Sequence, residues 1–369
     1  MGTEVVVDGL TKFFGSKSVW QDVSLTIPEG EVTVMLGPSG TGKTVLLKSL
    51  VGLLRPEYGH VYVDGTDLVT CSDKKLFRAR RQFGLMFQDG ALFGSLTLFD
   101  NIAFPLREHT RLKESRITDI VLEKMALVGL AGEENKLPGQ ISGGMRKRAG
   151  LARALVLDPS IILCDEPDSG LDPVRTSYLS QLLIDLNARI DATIVIVTHN
   201  IQIATTVPDN IGMLYRGELI GFGPRETMLT SPNPVIAQFL EGRRFGPIGM
   251  SEEKDEATLE REAAYAAAGH HDGGTGTRQL VITPQLSPTP GSPPRRAEER
   301  RRARVMSMIG SLPEDQRSTV VGNFTPADLA AYETARGYAA APAPQGPPAP
   351  QGPPERHHPG GPYPAGGAL

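Results

Sequence analysis

Eight consecutive residues, Gly37-Pro38-Ser39-Gly40-Thr41-Gly42-Lys43-Thr44, constrain this chain more than any other feature of it. They follow a short apolar run, residues 31–36, that reads as a strand. They precede a segment in which Val45, Leu46, Leu47, Leu50 and Val51 fall on one helical face. A glycine-rich turn between strand and helix suits phosphate binding. The glycines let successive backbone N–H groups turn inward and close on phosphate oxygens. The helix N-terminus adds favourable partial charge. In that setting Lys43 is expected to reach the β- and γ-phosphates of a nucleotide, and the Thr44 hydroxyl to ligate Mg²⁺. The bland alternative, a plain glycine turn, accounts less well for the flanking strand and helix.

Two further motifs are weak alone. Residues 161–164 form an apolar strand that ends in Asp165 and Glu166. Asp165 stands where a carboxylate can hold Mg²⁺, and Glu166 stands one residue further, where it can polarise an attacking water. A pair of acids after a strand is usually only a solvated turn. Ile141-Ser142-Gly143-Gly144-Met145 precedes a helix rich in Ala, Leu and Arg. Its glycines suggest a second anion site, while the plain reading is a capping turn with Ser142 as N-cap.

The order of the motifs raises their value. The phosphate loop is followed by Gln88, then Ser-Gly-Gly, then Asp-Glu about twenty residues later, then His199 after the apolar strand of residues 193–197. This layout resembles the ABC ATPases over residues 4–245. The resemblance implies an α/β fold with a RecA-like parallel sheet, an antiparallel edge sheet and a helical insertion near residues 89–157. It implies residue roles as well. Phe14 matches the aromatic that stacks on adenine. Gln88 matches the loop glutamine that touches Mg²⁺ and senses the permease. Ser142, Gly143 and Gly144 match the signature that binds the γ-phosphate of an ATP held by a second copy. Ser169-Gly170-Leu171-Asp172 matches the loop coupling the two sites, and His199 the switch histidine.

One departure stands out. Met145 replaces the usual signature glutamine and cannot donate its hydrogen bonds. Ser-Gly-Gly-Met, with residues 90–97 and 104–110, is similar to the ATPases of Mla and Mce (mammalian cell entry) lipid transporters. That likeness implies permease partners, lipid-binding subunits reached indirectly, and a peripheral place on the cytoplasmic face of the inner membrane. The segment around Phe93, Leu96 and Phe99 is then expected to meet a permease helix; otherwise these side chains are simply core.

Composition limits the alternatives. The net charge of −4 leaves no general basic footprint for nucleic acid. Cys71 and Cys164 match no zinc spacing. No apolar run is long enough to span a membrane, and the first residues resemble neither a signal peptide nor a myristoylation site. A DNA-repair or translation ATPase would be expected to carry a coiled coil, zinc cysteines or two fused units, and the sequence displays none. A nucleotide-gated interaction protein is the other rival, because residues 246–369 exceed the minimal domain. This extension holds more than half of the 30 prolines and reads as mostly disordered. Within it residues 252–268 read as a charged helix, residues 283–294 as a Pro/Ser linker, and residues 297–338 as a docking segment. The segment's anchors, Val305, Met308, Ile309, Phe324 and Leu329, are too few for a core. The surface expected for it is the partner subunit.

Overall fold

The structure, a computed structural model, describes residues 2–249, 256–270, 272–273 and 282–340. The first strands are β1 (Val5–Phe14) and β2 (Lys17–Ile27). After β3 (Val32–Leu36) and α1 (Lys43–Leu50) come β4 (Tyr58–Val63), β5 (Thr66–Asp67), α2 (Asp73–Arg80) and β6 (Phe83–Met86). The insertion contributes α3 (Leu98–His109), α4 (Glu114–Leu127) and α5 (Gly143–Leu155). The core then continues through β7 (Ile161–Asp165), α6 (Pro173–Ile190), β8 (Thr193–Val197), α7 (Ile201–Thr206), β9 (Asn210–Tyr215) and β10 (Glu218–Pro224). Short helices α8 (Arg225–Leu229) and α9 (Pro234–Glu241) close it.

Two sheets share the core. One is antiparallel, in the order β2-β1-β4-β5; the other runs β10-β9-β3-β8-β7-β6. In the second, β9, β3, β8, β7 and β6 are mutually parallel, and β10 pairs antiparallel to β9. Every residue of β3, β7 and β8 is buried, as expected where both sheet faces are covered. The alternating pattern of β1, with Val5, Val7 and Leu10 inward, marks the sheet covered on one face. Asp64 and Gly65 both take positive φ, as do Arg216 and Gly217, the signature of two-residue hairpins. The parallel topology sets the C-terminal ends of β3, β8 and β7 side by side, where ligands of such sheets bind.

The extension contributes α10 (Glu256–Ala267), α11 (Arg296–Met308), α12 (Glu314–Gly322) and α13 (Pro326–Ala340). The first residues of the expected 252–268 helix, and nearly all of the Pro/Gly/Ala run after Ala339, lie outside the described residues. The chain divides into two compact units between Phe324 and Thr325. In the second, Thr325 Oγ1 accepts from the Asp328 amide at 3.2 Å, the cap expected from Thr-Pro at a helix start.

The rest of the docking segment meets a different surface from the one expected. Residues 282–324 belong to the first unit and lie on their own subunit's ATPase domain. Ala297, Val305, Ile309 and Val320 are buried there. The reason is electrostatic. Glu31 and Asp209, at the entrances to β3 and β9, are fully buried, and Arg295, Arg301 and Arg304 pair with them. Buried carboxylates need such partners. The Arg run therefore does not face solvent throughout.

Candidate active site

The phosphate loop joins β3 to α1. Gly37, Gly40 and Gly42 have φ of 150°, 84° and 86°. Glycine is required twice over at Gly42, because an added Cβ would lie 2.4 Å from Val19 Cγ1. Gly42 is the N-cap of α1 and, having no side chain, leaves the first-turn amide donors uncapped by its own residue. Lys43 is buried and donates to the Gly37 and Pro38 carbonyls at 2.8 and 2.9 Å. Its head thus bends back over the loop. Burial pushes the Lys43 ammonium down from its usual range, against the opposing pull of Glu166 and Asp165. Thr41 Oγ1 donates to Pro38 O at 2.9 Å and ties the loop's ends. Ser39 is exposed on it.

Thr44 Oγ1 donates to Asp165 Oδ1 at 2.8 Å, joining the start of α1 to the end of β7. Burial raises the Asp165 carboxyl, and Glu166 adds to that rise; the Thr44 hydrogen bond and Lys48 and Lys43 oppose it without cancelling it. Glu166 has φ of 43°, a left-handed conformation that a long side chain rarely adopts. Its amide donates to Val197 O at 2.9 Å, which fixes that turn beside β8. His199 Nδ1 stands 3.4 Å from Glu166 Oε1. Both side chains are at least partly open to solvent.

Other expected residues stand further out. Gln88 is exposed in the turn after β6. Phe14, 52% exposed at the end of β1, presents an open ring face with Lys12 Nζ 5.3 Å from its centroid. Ser142 accepts from the Met145 amide at 3.2 Å and caps α5, so the bland capping reading also holds. Ser142, Gly144 and Met145 line a cleft of about 560 Å³ with Leu171, Arg175 and Tyr178 of the α6 start. The signature therefore borders α6 within one subunit. Gly143 is the first residue of α5. Asp172 caps α6 through the Arg175 amide at 2.9 Å.

Two residues escaped the sequence reading. Lys147 is buried and donates to Glu166 O at 3.1 Å and Ser169 Oγ at 2.9 Å. It ties the signature helix to the loop that carries Glu166. Asp168, also buried, accepts from Thr198 Oγ1 at 2.8 Å, next to His199. The residues were visible in the motifs, but nothing in a linear sequence told which of the three cations after Met145 turns inward.

Comparison with known proteins fits this geometry. The ABC transporter family model matches residues 20–169. The chain is 66% identical over 324 residues to the probable ribonucleotide transport ATP-binding protein mkl of Mycobacterium tuberculosis, covering 88% of this chain and 90% of that relative. The chain belongs to the ABC transporter ATPases. This ABC ATPase is also 37% identical over 234 residues to the intermembrane phospholipid transport system ATP-binding protein MlaF of Escherichia coli, covering 63% of this chain and 87% of MlaF. The mkl alignment is too long for the ATPase domain alone and reaches into the extension; the MlaF alignment is not. Among solved structures, the dimeric post-hydrolysis state of the ATP-binding cassette MJ0796 with ADP and Pi matches with a TM-score of 0.56 and 33% identity, covering 60% of this chain and 98% of that one. The cbiO1 subunit of Clostridium perfringens, part of an ABC transporter complex, matches with a TM-score of 0.58 and 26% identity, covering 66% and 96%. This ABC ATPase binds and hydrolyses ATP as a transporter subunit. Among its described residues, no helix is long and apolar enough to cross a membrane.

Proposed function

We propose that this ATPase powers a lipid transporter through a permease held at the membrane. For ATP hydrolysis the carrying observation is the convergence of the phosphate loop, the Thr44–Asp165 pair and the Glu166–His199 pair on adjacent strand ends. Residues 37–44 cradle the ATP phosphates and Phe14 stacks on adenine. A hydroxyl and a carboxylate oxygen 2.8 Å apart suit a hard divalent cation that takes few protein ligands and several phosphate or water oxygens. Thr44 and Asp165 would hold Mg²⁺, with Gln88 alongside. The ion would supply charge neutralisation on the phosphates. Glu166 accepts the proton of the attacking water, and His199 lies where it can hold the γ-phosphate side of that water.

Ser142, Gly143 and Gly144 then serve the ATP of a second copy in a head-to-tail pair, with Asp172 at the junction. The dimeric MJ0796 structures support this reading. The rings of Phe77, Phe93 and Phe104 are exposed, and Phe77 lines a groove of about 310 Å³ with Phe87, Pro105, His109 and the cations Arg80, Arg81 and Arg153. The exposed rings suit an apolar helix of the permease. Phe93 and Phe104 pack at 5.0 Å. Phe99 instead leans on the core, so of the three residues first considered only Phe93 is exposed, and Phe77 and Phe104 join it.

Lipid cargo rests on the MlaF relatives; the mkl relatives carry a ribonucleotide transport name and favour the rival cargo. Isolating the complex in detergent tests both. A co-purified permease with bound lipid is the expected result. A complex that retains no lipid and moves labelled ribonucleotide on reconstitution would overturn the lipid reading.

A further inference from the structure

Residues 283–304 run across the end of the sheet opposite the phosphate loop, and their contacts fall on elements whose other ends carry the site. Gln285 Nε2 donates to Val207 O at 2.9 Å and Pro208 O at 3.0 Å, and the Leu286 amide donates to Thr206 O at 2.8 Å. These acceptors lie at the C-terminal end of α7, whose N-terminal end follows His199 directly. Next along the strap, Thr289 donates from its amide and its hydroxyl to the Asp185 carboxylate at 2.7 and 2.6 Å. Gln181 reaches Ser287 O at 2.9 Å. Asp185 and Gln181 are on α6, which begins at the Asp172 loop. Arg295 then joins Asn187 of α6 to Asp209 ahead of β9, and Arg300 joins Asp191, ahead of β8, to Gly30 O.

We infer that this strap is an intramolecular brace, and that Gln285 and Thr289 are positioning residues for hydrolysis. The strap holds α7 and α6 at one spacing, and so sets His199 against Glu166 and the Asp172 loop. The physical case is one of leverage and redundancy. Helix α7 is only six residues long. One side-chain hydrogen bond, Gln202 Nε2 to Ser177 Oγ at 2.8 Å, joins it directly to α6 near the site. Its far end is held by the Leu286 amide at Thr206 O, by Gln285 at Val207 O and Pro208 O just beyond it, and by Arg225 at Thr205 O, while Ile203 and Ala204 anchor it in the core; loosening the strap therefore shifts its first residue slightly rather than freeing the helix. The Glu166–His199 separation of 3.4 Å already lies just beyond the usual hydrogen-bond range, so a further shift of a few tenths of an ångström takes the two groups out of reach of one another. Nucleotide binding at residues 37–44 has its own anchors in β3 and α1; the strap reaches β3 only at its far end, where Asp209 accepts from both Gln285 and the Val32 amide. Loss of the brace should therefore lower kcat and spare the KM for ATP.

This inference rests on the roles of Glu166 and His199 proposed above. Arg295 is a poor first target, because its loss strands a buried Asp209 and threatens folding. Gln285 and Thr289 are better: both are neutral, and although Gln285 also donates to Asp209 Oδ1 at 3.1 Å and accepts from Arg301, its loss leaves Asp209 paired with both Arg295 and Arg301. The full-length protein carrying Gln285→Ala and Thr289→Val is expected to show kcat reduced about fivefold, within the range that loss of hydrogen bonds of ordinary strength gives. Its KM for ATP should stay within about twofold. Thr289→Ser keeps the hydroxyl donor and should match the parent in kcat. A control with Glu166→Gln reports on the site itself. If that control loses turnover while the double variant retains full kcat, the brace is refuted and the site stands. If the double variant loses kcat and KM rises equally, or Thr289→Ser is as impaired as Thr289→Val, the residues are not positioning hydrolysis and the inference falls. If Glu166→Gln keeps its turnover, the reading of the site fails first.

Discussion

Glu166, the base proposed for hydrolysis, sits in a strained backbone conformation. Its φ of 43° costs on the order of 1 kcal/mol. The turn survives because Val197 O takes its amide and Lys147 takes its carbonyl. The conformation aims the carboxylate toward His199, away from the strand's own line. Glu166→Gln preserves shape and backbone but cannot accept a proton. Its phosphate release, followed at saturating ATP, is expected to fall by about 10² to 10⁴, with nucleotide binding retained. Turnover within about twofold of the parent would remove Glu166 from the role of base. Met145 shows the opposite case. Its side chain packs against the core, and its amide serves Ser142, so the missing glutamine side chain is replaced by apolar packing.

At the scale of elements, α3 and the preceding turn separate core from surface. Leu98, Ile102 and Leu106 are buried, while Asn101 accepts from the Phe93 amide at 2.7 Å and donates to the Leu96 carbonyl at 3.1 Å. That side chain holds the turn so that Phe93 projects outward, 45% exposed. Phe93→Asp should therefore leave the fold and basal ATP hydrolysis intact while transport by the reconstituted complex falls at least about tenfold. A simultaneous loss of folded protein would instead make Phe93 a core residue. The α11 contact has its own pH signature. Burial raises the Asp209 carboxyl, but Arg295 and Arg301 outweigh burial and hold it below the usual carboxylate range. A depressed carboxyl contributes stability that is complete above its unfolded value of about 3.9 and is lost as pH falls through the folded value. Asp209→Asn should lower the thermal midpoint at pH 7, and the gap to the parent should narrow below about pH 4. A gap that is constant from pH 7 to pH 3 would show that the ion pair does not govern the contact.

At the scale of the whole molecule, residues 282–324 of the extension pack as part of the ATPase domain's own unit. Residues 282–324 supply guanidinium partners to Glu31 and Asp209, both fully buried. Removing one member of a buried pair costs about 3–5 kcal/mol. Truncation after residue 250 should accordingly lower the thermal midpoint of the nucleotide-free protein by about 10 °C, read by calorimetry. An unchanged midpoint would mean that the Arg side chains contribute little, and that water replaces them without loss.

The sequence by itself determined the nucleotide chemistry. Phosphate binding needs consecutive backbone amides, a glycine-permitted turn and a lysine, and these are local in the chain: residues 37–44 carry all of them. Burial on both faces made β3, β7 and β8 legible as apolar runs for the same local reason. Contacts between distant segments were not. Which cation after Met145 turns inward, whether Phe93 or Phe99 faces solvent, and where an Arg-rich stretch docks depend on partners up to 273 residues away, as in the Arg304–Glu31 pair. Glu31 and Asp209 look like ordinary acids near strand starts until the sheet closes over them. Only the tertiary structure buries them, and burial is what turns a solvated Arg run into their counter-charge.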